Sequence, residues 1–118
     1  MVQGMHLTPI GDGNVLLEPT DGLDPGEPDT YLVPLTGKLQ QMRAQHLLYD
    51  LKNVPVVDKL YYAWLVNVAV MCRISGIGMV VVNMRPAAAY ALALTMEDNP
   101  PFGCALDVNR ARNMPGSS

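Results

Sequence analysis

The chain has 118 residues, enough for one domain with an ordinary buried core and too few for two. Hydrophobic residues make up 49% of it and charged residues 16%, a balance that predicts folding with enough apolar surface left over for association with other subunits. The net charge of -3, with eight lysines and arginines scattered along the chain, leaves no basic footprint and disfavours nucleic-acid binding.

Met5 to Ile10 and Asn14 to Glu18 are short runs with apolar residues. Gly11-Asp12-Gly13 between them can supply the positive φ angles of a tight turn, so an antiparallel hairpin is predicted. Pro19 to Pro28 combines proline, glycine and acidic residues and reads as an exposed loop. A helix then runs towards Ala44, capped by Asp29 or Thr30, with Tyr31, Leu32, Leu35, Leu39 and Met42 on one face. Pro34 and Gly37 interrupt that pattern, and a start near Val33 would place Pro34 in the first turn, where its missing donor costs nothing.

Leu47 to Leu51 is a buried-strand pattern that Val54-Pro55 brings to an end, since Pro55 fixes its own φ and pushes Val54 towards extended geometry. Asp58 is placed to cap the next helix, in which Leu60, Trp64, Val68 and Met71 form one stripe and Leu65, Ala69 and Cys72 widen it. Ser75-Gly76 closes that helix, with Arg73 near the negative end of its dipole. Gly78 to Met84 is a strongly apolar run around three valines, which suits a strand covered on both faces. The unit reads as β-loop-α-β, with a right-handed crossover. Pro86 opens a helix over Ala87 to Met96, Asn99 to Gly103 breaks it, and Cys104 to Val108 is a last short strand. Asn109 caps only a stub before a frayed tail over 113–118.

Chemistry-bearing residues are sparse. Cys72 and Cys104 lack a second cysteine at metal-ligand spacing and are expected to be buried, reduced thiols of a cytoplasmic protein. His6 and His46 share no spacing with a ligand set, so no metal or cofactor is predicted. No apolar run is long enough to span a bilayer, and no membrane partner is expected. Gly11-Asp12-Gly13-Asn14 lacks the Gly-Lys-Ser/Thr and the helix of a phosphate loop, so a turn explains it better. Asp50 and Asp58 are two carboxylates near one strand end, but no histidine or nucleophile stands close by in sequence, which argues against an enzyme. Asp58 serves equally as a helix cap or as part of a partner surface, and Lys59 as a solvated lysine or a contact for an acidic partner. Tyr61 and Tyr62 are candidate interface anchors, one of which must turn to the core.

The order hairpin, helix, strand, helix, strand, helix, strand resembles the STAS domain of anti-anti-sigma factors. Three segments carry the likeness: Tyr49 to Asp58, Arg73 to Val82 and Met84 to Ala89. The resemblance covers residues 5 to 112 and is closest to stressosome scaffold proteins of the RsbS type. It implies one α/β domain over 1–118, with a mixed sheet of four to five strands and helices packed mainly on one side. It also implies a binding role, with assembly into homo-oligomers, other STAS-domain proteins as partners and a GHKL-type serine/threonine kinase. In such proteins the residue after the loop aspartate is usually a phosphorylated serine or threonine, and here that position is Lys59. A second acceptor of some relatives falls near Tyr90 or Ala91, with Thr95 a turn further on. The expected function is therefore an anti-sigma factor antagonist or stressosome scaffold whose partner surface is Asp58, Lys59, Tyr61 and Tyr62. The alternatives are a small ligand-binding or enzymatic α/β domain with Pro19 to Pro28 as a lid, and a soluble STAS subunit of a transport system.

Overall fold

The computed structural model describes residues 2–95 and 100–113. Met5–Gly11 (β1) and Asn14–Pro19 (β2) form the expected hairpin, closed by Asp12 at φ 57° and Gly13 at φ 78°. Both central residues of that turn are left-handed, the geometry whose twist matches two antiparallel strands. Pro28–Gln41 (α1), His46–Asp50 (β3), Lys59–Ile74 (α2), Gly78–Val82 (β4), Pro86–Thr95 (α3), Gly103–Ala105 (β5) and Val108–Arg112 (α4) follow in turn. The five strands lie side by side in chain order, with β1 antiparallel to β2 and the rest parallel. β1 forms one edge; it carries Pro9, which has no amide donor, and a register irregularity between Pro9 and Gly11.

Alternation along β3 and β4 divides the core in two. Leu47, Tyr49, Met79 and Val81 face the layer of long helices, where they meet Leu35 and Leu39 of α1 and Trp64, Leu65, Val68 and Cys72 of α2; Ala88 brings α3 into the same cluster. Leu48, Val80 and Val82 face the other way, against Ala111 of the short α4. The wholly apolar β4 thus reflects burial on both faces, as predicted. Helices pack mainly on one side of a mixed five-stranded sheet, the expected arrangement.

Several expected boundaries move. α1 begins at Pro28, not near Val33, and its N-cap is Glu27 without a side-chain bond, not Asp29 or Thr30. Pro28 is itself the first-turn proline, so Pro34 lies inside the helix. α1 stops at Gln41, where Arg43 at φ 54° turns the chain and the Ala44 amide bonds the Leu39 carbonyl. Leu60 leaves the core stripe of α2: it is 53% exposed and its tip lies beside Gly26. The last strand is three residues long, and Asp107, not Asn109, caps α4 by accepting from the Arg110 amide at 2.9 Å. Cys72 is buried as expected, whereas Cys104 on that short edge strand is exposed. Pro100 to Phe102 lie outside any helix and lead into β5, as the expected break required, while Met96, Asn99 and the tail from Met114 lie outside the described residues, as do the side chains of Ala91 and Thr95. Among the described residues no helix is long and apolar enough to cross a membrane.

Candidate functional site

The strands β2, β3 and β4 end at the same side of the sheet, and the turns that leave them build the surface around the start of α2. A clamp of hydrogen bonds fixes the segment after β3. The Leu51 amide donates to the Val82 carbonyl at 2.9 Å, the Val54 amide to Leu51 at 2.9 Å, and Arg85 Nε to the Lys52 carbonyl at 3.0 Å. Beneath them Asp50 is only 2% exposed. Its Oδ1 accepts from the Lys52 amide at 2.9 Å and from Asn83 Nδ2 at 3.1 Å, and its Oδ2 pairs with Lys52 Nζ at 3.4 Å. A buried carboxylate is tolerated only with such partners. Lys52 also reaches Glu18 at the end of β2, 3.3 Å away. Glu18 first, and then Asp50, raise the Lys52 pKa above its ordinary value. Asn83 holds its side chain on Asp50 from a left-handed backbone, φ 59°, a conformation asparagine accepts more readily than most residues.

Val57 is buried and pins the end of the segment, so that Asp58 arrives extended, with φ -85° and ψ -176°. Its Oδ1 accepts from the Tyr61 amide at 2.8 Å, the predicted N-cap. Lys59 is the first residue of α2, exposed, with its charge at the positive end of the helix dipole. Val56, 65% exposed, and Leu60 flank the two charged residues.

Both tyrosines are half-buried, with different duties. Tyr61 turns inward: its hydroxyl lies 2.7 Å from that of Tyr49, which in turn accepts from Trp64 Nε1 at 2.8 Å. Burial pushes the Tyr61 hydroxyl up to about 12, against the opposing effect of the Tyr49 bond, and burial likewise holds Tyr49 well above the ordinary range. Tyr62 packs edge-on against Phe102, with ring centroids 6.2 Å apart. The structure therefore brings Asp58, Lys59, Tyr61 and Tyr62 onto one helical turn, with the first two outward and Tyr61 tied to the core. The polar cluster of Glu18, Asp50, Lys52, Asn83 and Arg85 was not anticipated as a unit. Its one sequence signal is a charged or amide residue at the end of successive apolar strands.

The oxygens of Asp50 are engaged by Lys52 and Asn83, and among the described residues no three His, Cys, Asp or Glu side chains gather in a way that could hold a metal. Pro19 to Pro28, the lid of the rival reading, is tied to α1. The Asp24 amide donates to the Tyr31 hydroxyl at 2.9 Å, and that hydroxyl donates to the Gly22 carbonyl at 3.3 Å.

No family model matches the sequence, and no curated protein matches it either. Solved structures do. A serine-to-glutamate variant of RsbS from Moorella thermoacetica superposes with a TM-score of 0.76 at 17% identity, over 91% of this chain and 92% of that one. A structure described as the molecular architecture of the stressosome, a signal integration and transduction hub, gives 0.74 at 16% identity, over 92% of this chain and 100% of that one. The protein TM1081, determined by NMR, gives 0.72 at 18% identity, over 88% and 82%.

Proposed function

From a chain with the STAS fold of the RsbS type, we propose a non-catalytic scaffold module. It assembles with itself and with other STAS-domain proteins and offers the entrance of α2 to a GHKL-type serine/threonine kinase. The observation that carries the reading is the lysine at the first position of α2, exposed behind a formed aspartate cap on a STAS-type fold. In this reading the cap and the clamp beneath it keep the loop and helix start in one shape. Val56 and Leu60 supply apolar contact, and Asp58 and Lys59 set charge and register.

Lys59 stands at the position of the family's usual phosphoacceptor and has no hydroxyl. A phosphoryl group there would add nearly two negative charges and several acceptor oxygens at a helix N-terminus; an ammonium offers neither. The module is thus constitutively in its unmodified state, or takes its input elsewhere. Incubation with the cognate kinase and ATP, read by intact mass, should leave the wild-type protein unchanged and add one phosphate to a Lys59→Ser variant. A stoichiometric phosphate on the wild type overturns the loss of the switch. Light scattering that finds a monomer at high concentration, with no association with a sensor STAS protein, overturns the scaffold role itself.

A further inference from the structure

The sheet face opposite the long helices holds a second feature, away from the α2 entrance. Between α4, the hairpin tip and the beginnings of β2 and β3 lies a cleft of about 390 Å³. Its floor is apolar: Leu48 of β3, Val80 of β4 and Ala111 of α4, all buried. Its rim carries Arg112 and Asp12, with Asn109 and His46 on the walls. We propose that this cleft binds a small organic acid with a compact apolar body, its carboxylate on Arg112 and its body on Leu48 and Val80. The proposal stands independently of the scaffold reading.

Three observations carry it. The volume falls at the small end of the roughly 300–1,000 Å³ that ligand pockets span, which suits a molecule the size of benzoate and not a nucleotide. Polar and charged side chains outnumber apolar ones around it, which suits a small ionised ligand more than a large apolar one. Secondly, Arg112 Nη2 reaches Asp12 Oδ2 at 3.5 Å, and the Asp12 side chain is 87% exposed. A pair so long and so wet contributes little, so an incoming carboxylate can take the guanidinium through two parallel bonds while Asp12 returns to water. Thirdly, the side-chain amides of Asn14 and Asn113 on the same lining donate to the Gly11 and Asn109 carbonyls, each at 3.0 Å. They brace the hairpin and α4, and the charged anchor is left to Arg112.

The test is a titration of the full chain with benzoate, followed in amide 1H–15N spectra, with benzyl alcohol as the uncharged analogue. Saturable shifts in the millimolar range are expected at the amides of His46 to Leu48, Val80 and Asn109 to Asn113. Benzyl alcohol should bind about tenfold more weakly, and Arg112→Gln should weaken benzoate by a similar factor. Asn109→Trp, at an exposed position of α4, should fill the mouth and abolish the shifts while the spectrum elsewhere stays unchanged. Shifts that never saturate, shifts centred elsewhere, or equal binding of benzoate by wild type and Arg112→Gln would each overturn the proposal.

Discussion

At the scale of the residue, the entrance of α2 depends on two hydrogen-bonded groups. Asp58→Ala removes the acceptor from the Tyr61 amide and is expected to cost about 1 kcal/mol in urea unfolding, the usual worth of an N-cap. Tyr61→Phe acts at longer range. The Tyr49 hydroxyl accepts from Trp64 and shares a second hydrogen bond with the Tyr61 hydroxyl, and the variant removes that partner from a buried polar group at about 1–2 kcal/mol. The same pair sets a pH dependence. An unfolded tyrosine loses its proton near about pH 10, whereas Tyr61 holds it to about 12. Between those values the unfolded chain sheds protons that the folded chain keeps, so the stabilisation is complete below pH ~10 and is lost as pH rises towards 12. Lys52, whose pKa is also raised, works in the same direction. Urea midpoints measured across this alkaline window should fall, and fall less steeply for Tyr61→Phe.

At the scale of the element, what the sequence revealed was what neighbouring residues decide. The Asp12-Gly13 turn, the Asp58 cap and the two-sided burial of β4 are all written in a few consecutive residues, and each formed as read. α1 was misplaced at its start because two prolines competed for one first-turn position, and local pattern alone favoured the later. The structure gives that position to Pro28 and keeps Pro34 seven residues into the helix, where it lacks the amide that would bond Thr30. Nothing in the structure requires proline there. Pro34→Ala should therefore stabilise the protein by about 1–3 kcal/mol, seen as a higher urea midpoint with an unchanged slope. Leu60 and Cys104 were expected inside because apolar spacing does not say where a helix leaves its sheet or which strand forms an edge. The cluster around Asp50 was hidden for a different reason: Glu18, Lys52, Asn83 and Arg85 come from the ends of three separate strands, and only the parallel register of β2, β3 and β4 brings those ends together.

At the scale of the whole molecule, the two faces of the sheet are covered unequally. Three long helices protect one; the five residues of α4 stand over Leu48, Val80 and Val82 on the other. A chain ending at Leu106 should bare those three side chains, lowering the urea midpoint and binding a hydrophobic dye that the intact chain ignores. The edge formed by β1 has a different consequence. A sheet with an open border is a template on which an identical chain can lay its own strand, and repetition of that step yields a fibril. Pro9 withholds one rung of the ladder, and the irregularity beside it bends the line along which a newcomer would have to align. Growth by strand addition is thereby discouraged, and the self-association proposed above would run through side-chain surfaces, which can close into a particle of finite size.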